Sequence, residues 1–179
     1  MSVDWVDDVL GFWFSHGWDD WWKPSDAFDA EIRERFQALW DAQSRRQVDD
    51  FLGSADEALA AVILFDQFPR NMFRGHADQF ATDHLALAIA KAAIERGYDD
   101  GMAAERRGFL YMPFEHSEDL ADQRQSLLLF TALGEPEQLK YARKHFEVIE
   151  RFGRFPHRNR VLGRKPTALE EAAGEVYPW

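Results

Sequence analysis

Apolar residues recur along the chain every three to four positions, the spacing of one face of a helix. Trp5, Val6, Val9, Leu10 and Trp13 make such a face over Val3–Phe14, with Ser2 available as N-cap. Ser25 stands before a second helix whose face is Phe28, Ile32, Phe36, Leu39 and Trp40. Ser54-x-x-Glu57 reads as a capping box opening a helix over Ala55–Gln67, which Pro69 is expected to stop. Thr82 or Asp83 begins Leu85–Arg96, closed by Gly97, and Met102–Met112 is a short helix ended by Pro113. Ser117 is expected to cap the next helix, which runs to Gly134, and Pro136 fits the first turn of another that ends before Gly153. Thr167-x-x-Glu170 offers a last capping box. No stretch sustains the period-two alternation of a strand, so the pattern predicts an all-α chain of about eight helices in antiparallel pairs.

Composition narrows this further. The 179 residues suit one domain over 1–179, and 46% apolar and 15% aromatic content supplies ample core. The longest uninterrupted apolar run, Ala58 to Phe65, is far too short to span a membrane, and the N-terminus lacks the pattern of a signal peptide. With no cysteine, disulfides, thiolate metal sites and a cysteine nucleophile are excluded, and a cytoplasmic location is expected. A net charge of -11 repels nucleic acid, so no nucleic-acid partner is expected.

Positive charge is scarce and unevenly placed. Residues 1–60 hold fourteen Asp/Glu against five Lys/Arg, whereas Arg151–Lys165 holds six Arg/Lys and no acid. Within that stretch Phe152-Gly-Arg-Phe-Pro-His-Arg-Asn159 echoes Phe65-Asp-Gln-Phe-Pro-Arg-Asn71. Between them lies Tyr111-Met-Pro-Phe-Glu-His-Ser-Glu-Asp119. Arg70, Asn71 and Arg74 have two possible uses: satisfying carbonyls at a helix end, or forking onto a carboxylate or phosphate. Arg154, His157, Arg158, Asn159 and Arg160 crowd a few positions, so their charges require carboxylate partners or an anionic guest. Glu115, Glu118, Asp119 and Asp66 are the candidate internal partners. Glu115 and His116 sit where they could orient and protonate a ligand, or serve an ion pair and a cap.

Other chemistry has little support. Glu115 and Glu118 lack an accompanying Glu-x-x-His pair, and His-Glu-x-x-His is absent, so spacing predicts neither a dedicated metal site nor a cofactor. Nucleophile elbows and phosphate loops are missing. His145, beside Lys144, is expected at the surface. Trp18, Trp21 and Trp22 are interrupted by Asp19 and Asp20, which suggests partial exposure, and Trp179 adds a second candidate surface for a homo-oligomer.

The chain resembles the bacterial domain-of-unknown-function 924 family through Leu64-Phe-Asp-Gln-Phe-Pro-Arg-Asn71 with Phe73-Arg-Gly75, Phe80-Ala-Thr-Asp83, Phe109–Leu120, and Arg151–Asn159 with Leu162-Gly-Arg164. Val9-Leu-Gly-Phe-Trp-Phe14 and Phe28-Asp29 belong to the same likeness. The resemblance implies a tetratricopeptide-like α-α solenoid and carries no catalytic residue with it. Three functions remain open on the residues. One is a binding module taking an anionic small molecule or acidic peptide at Arg70, Asn71, Arg74, Glu115, His116, Arg154, His157, Arg158 and Asn159. Another is an enzyme using His116 or His157 as general base with Asp66 or Glu115 as orienter. The third is an ion-pair hub that knits helix ends together.

Overall fold

The computed structural model describes residues 4–178. Among these the secondary structure is entirely helical, with no strand, and no helix is long and apolar enough to cross a membrane. The chain divides into two compact units, Met1–Met102 and Ala103–Trp179.

In the first unit α1 spans Trp5–Phe14, α2 Trp18–Trp22 and α3 Asp26–Gln43. Ser2 and Val3 lie outside the described residues, and α1 is capped instead by Asp4, whose carboxylate accepts from Val6 N–H at 3.2 Å. Ser25 caps α3 as expected, accepting from Phe28 N–H. Next come α4, Ala55–Val62, a π-helical turn over Ile63–Gln67, α5, Phe68–Met72, and α6, Asp83–Glu95. α3 packs on α5, and α4 lies against both α1 and α6. The core is aromatic. Phe68 is fully buried, with ring centroids 4.6 Å from Phe36, 5.7 Å from Trp13 and 6.1 Å from Phe12.

Pro69 does not end the helix it was expected to stop. Helical backbone runs without a break from Ala55 to Met72. A proline inside a helix deprives the carbonyl four residues earlier of its N–H donor. That carbonyl belongs to Phe65, and it accepts instead from the Thr82 hydroxyl at 2.7 Å. Thr82 in turn accepts from Trp40 Nε1 at 3.1 Å. The next carbonyl, of Asp66, accepts from the Arg70 guanidinium. The widened π turn and these side-chain donors remove the penalty that would otherwise terminate the helix. At the far end Arg33 forks onto Met72 O at 2.9 and 2.7 Å, satisfying a terminal carbonyl.

The second unit holds α7, Ala104–Glu115, α8, Leu120–Leu133, α9, Pro136–Phe152, and the short α10, Ala168–Ala173. α8 packs against both α7 and α9. Again a proline lies within a helix, because α7 continues through Pro113 to Glu115. Fully buried Gln123 completes its end, donating Nε2 to the carbonyls of Glu115 at 2.6 Å and Ser117 at 2.7 Å. α8 is capped by Asp119 rather than by Ser117, with Asp119 Oδ1 accepting from Ala121 and Asp122 N–H. Ser117 sits two residues before the cap, accepting from Asp119 N–H and donating to Asp122. The Thr167–Glu170 capping box forms as expected. α9 ends at Gly153, whose φ of 70° is left-handed and suits glycine.

Phe68→Ala removes the ring shared by three aromatic neighbours. It should cost about 3–5 kcal/mol, read as a lowered urea midpoint with unchanged slope.

Candidate functional site

In the first unit, the polar residues of 65–75 turn onto carboxylates of the same unit. Arg70 forms two bonds with Asp83, Nη1 to Oδ1 at 2.9 Å and Nη2 to Oδ2 at 3.0 Å. It also lies 3.4 Å from fully buried Asp66, which accepts from Gln67 Nε2 at 2.6 Å. Arg74 donates Nε and Nη2 to buried Asp29 at 2.6 and 3.0 Å, and Asn71 Nδ2 joins the same carboxylate at 2.8 Å. The Asp29 hydrogen bond raises the Arg74 pKa against the opposing effect of burial.

The other two motifs meet in the second unit. After Gly153 the chain turns through the 3-10 segment Pro156–Arg158, and its arginines find partners on α10 and the α7–α8 connection. Arg154 forks onto Glu170 at 2.6 and 2.7 Å. Arg164 forks onto Glu118 at 2.7 and 2.9 Å, and Glu118 also accepts from Phe155 N–H at 2.7 Å. Buried Asn159 joins the two pairs, donating Nδ2 to Glu170 at 3.2 Å and accepting from Arg164 Nε at 2.9 Å. Arg158, also buried, donates to the His116 carbonyl at 2.9 Å and lays its guanidinium over the Phe155 ring. The third motif is therefore bonded directly to the second.

These contacts set the ionisation of the acids. The Arg154 hydrogen bonds hold Glu170 at about 2, against burial and with help from Thr167 N–H and Asn159. Burial alone would raise Glu118, yet Arg164, the Phe155 N–H and the charge of Arg158 bring it below the usual carboxylate range.

Of the acids expected as arginine partners, Glu118 and Asp66 serve, while Asp119 caps a helix. Glu115 lies 3.0 Å from His145 Nδ1. His145 is not at the surface. It is buried on α9, and its Nδ1 also meets the Tyr141 carbonyl at 2.9 Å. Its position, three residues after buried Ala142 and four before buried Ile149, puts it on the apolar face of that helix. That periodicity was the available signal, and the neighbouring Lys144 was a misleading one. Burial pushes His145 down to about 3, and the nearby His116, Arg158 and His157 add to this while the Tyr141 carbonyl opposes it. The imidazole is thus neutral, and its contact with Glu115 is a hydrogen bond donated by Nδ1–H. So depressed a group is a weak proton acceptor. The principal partners not foreseen from sequence are Asp29, Asp83 and Glu170, which lie 45, 13 and 16 residues from the arginines they hold.

Glu115, His116 and His145 each present a ligand atom within 4.8 Å of the others. Close by in sequence, an open cavity of about 490 Å³ is lined by Pro156, His157, Asn159, Arg160, Glu170 and Tyr177, among others. The His157 and Tyr177 rings lie 6.2 Å apart there.

A family model described as bacterial protein of unknown function (DUF924) matches residues 9–173. A solved structure of a protein of unknown function from Agrobacterium tumefaciens is 42% identical, over 94% of this chain and 95% of that one, with a TM-score of 0.88. No curated protein matches.

Glu118→Ala deletes the acceptor of two guanidinium bonds and one backbone N–H. It should cost about 2–3 kcal/mol by denaturant unfolding, and Glu118→Gln should recover part of that loss.

His145 should also shape the acid limb of stability. In the unfolded chain an imidazole takes up a proton near pH 6.5, whereas the folded state refuses one until about pH 3. Stability is therefore intact above about pH 6.5 and declines as pH falls. His145→Asn, which keeps a donor but does not titrate, should lower stability overall while flattening that decline between about pH 6.5 and 4.5. Equal slopes in urea titrations of both proteins would contradict the assignment.

Proposed function

The chain belongs to the DUF924 family of bacterial proteins of unknown function, and we propose that it is a binding protein for an anionic small molecule or an acidic peptide terminus. The guest is received in the second unit, in the cavity beside the 156–160 turn. One observation carries this. Arg154 and Arg164 are bound by Glu170 and Glu118, whereas Arg160 lies exposed at that cavity and, among the described residues, makes no ion pair.

Arg160 supplies the fork for a carboxylate or phosphate, and the His157 and Tyr177 rings form a wall for the rest of the guest. Asn159 and Arg158 fix the turn from beneath. On this reading the paired arginines are scaffold that holds the turn in shape, so the ion-pair hub and the binding site are parts of one arrangement. Arg70, Asn71 and Arg74 do the scaffold's work in the first unit. The family likeness supports stacked helix pairs, and the lack of cysteine supports a reducing compartment. Exposed Trp18 and Trp22 offer the surface for any self-association.

A thermal-shift panel of phosphates, nucleotides and small di- and tricarboxylates tests the reading. A ligand at about a hundred times its Kd should add roughly 2.7 kcal/mol. Arg160→Ala should abolish that shift while leaving the apo protein within about 0.5 kcal/mol of wild type. A panel without a hit, or a shift that survives Arg160→Ala, overturns the proposal.

A further inference from the structure

We propose that Glu115, His116 and His145 form a binding site for one divalent transition-metal ion of the Zn²⁺, Co²⁺ or Mn²⁺ class. None of the three lines the anion cavity, and the site does not depend on a guest there.

The first support is the donor set. One carboxylate and two imidazoles, from the end of α7 and the middle of α9, suit a borderline metal ion rather than Ca²⁺ or Mg²⁺. Three protein ligands leave a position open for water or a small anion. The second support is distance. Donor atoms on one zinc ion, each about 2.1 Å from it, lie about 3–3.5 Å apart. Here the three donors lie within 4.8 Å of one another, and Glu115 Oε1 and His145 Nδ1 are 3.0 Å apart.

The third support is the way the three residues are held. The Glu115 carbonyl accepts from buried Gln123 at 2.6 Å, which fixes the backbone at the end of α7. The His116 carbonyl accepts from Arg158 at 2.9 Å. His145 is fixed by its burial on α9, and its Nδ1, which faces Glu115, takes the ion by giving up its proton. Burial of Glu115 and His145 keeps competing water away, while half-buried His116 gives the ion a way in. Arg158 adds positive charge nearby, so Glu115 is the indispensable counter-charge.

The spacing of the sequence could not show this site. Glu115 and His116 are adjacent, but the third donor lies twenty-nine residues after His116 on another helix.

The test uses the whole chain, stripped with a chelator and titrated calorimetrically with Zn²⁺, and with Co²⁺ followed by its visible absorption. One ion per chain should bind, Co²⁺ should develop d–d bands, and Zn²⁺ should raise the melting temperature. Losing a ligand should weaken binding by more than the roughly 10–100-fold that loss of an outer contact produces. That loss is expected in both Glu115→Gln and His116→Ala, each checked for folding by circular dichroism. Glu115→Gln keeps the side-chain shape, so it serves even if His116→Ala unfolds. No stoichiometric binding by the wild type overturns the proposal, as does undiminished binding by a folded Glu115→Gln variant.

Discussion

The second unit depends on the neutralisation of Glu118 and Glu170. Both carboxylates are largely withdrawn from water, where an ion without partners is costly. Each is met by a guanidinium fork, and Asn159 spans the two pairs by donating to one acid and accepting from the arginine of the other. Because Arg154, Asn159 and Arg164 all belong to the stretch after α9, satisfying the acids also fixes the path of a segment that has almost no regular structure. Phe155 is fully buried beneath it with Val148 and Ile149. Charge and apolar burial therefore act on the same segment.

The two Phe-x-x-Phe-Pro segments show how far a sequence echo carries. Both place their second phenylalanine fully inside the core, Phe68 in one and Phe155 in the other. Their backbones nevertheless differ. Before Phe155 stands Gly153, whose left-handed conformation ends α9, so Phe155 is extended and Pro156 begins a new 3-10 turn. The first segment has no glycine, Thr82 supplies the donor that Pro69 removes and Arg70 serves the next carbonyl, so the helix passes through. Proline stops a helix when the orphaned carbonyl has no other donor. Whether it has one is decided by a residue seventeen positions away, which is why the helix boundary was misjudged from sequence while the buried faces were not.

The same division between local and distant information runs through the candidate site. Helix faces and most caps are local, and Phe28, Ile32 and Phe36 are buried as their spacing requires. The clustering of chemistry in 111–119 and 151–165 was also legible, because composition is local. Pairing was not. Arg74 could have met several acids, and its partner Asp29 became evident only once α3 lay beside α5. His145 is the instructive case: its helical phase pointed inward and its charged neighbour outward, and phase prevailed. Along an amphipathic helix, position on the buried face governs burial, and a flanking lysine merely shows where the adjacent face lies.

A buried histidine on such a face requires a local reason to be polar. The Tyr141 carbonyl, one turn earlier, satisfies Nδ1–H at little cost, and Glu115 from α7 shares the same proton. Glu115 is itself buried, so the helix end that carries it must be pinned, which Gln123 and Arg158 accomplish through the carbonyls of Glu115 and His116. Arg158 thereby has a structural reason to be buried although it faces histidines. It closes a helix terminus, stacks on Phe155, and links the basic turn to the Glu-His pair. An excess of arginine in an acidic chain is thus not a single feature with a single use. Arginines two and four residues apart in one loop meet a carboxylate, a helix end and an open cavity, according to the direction in which the backbone turns each of them.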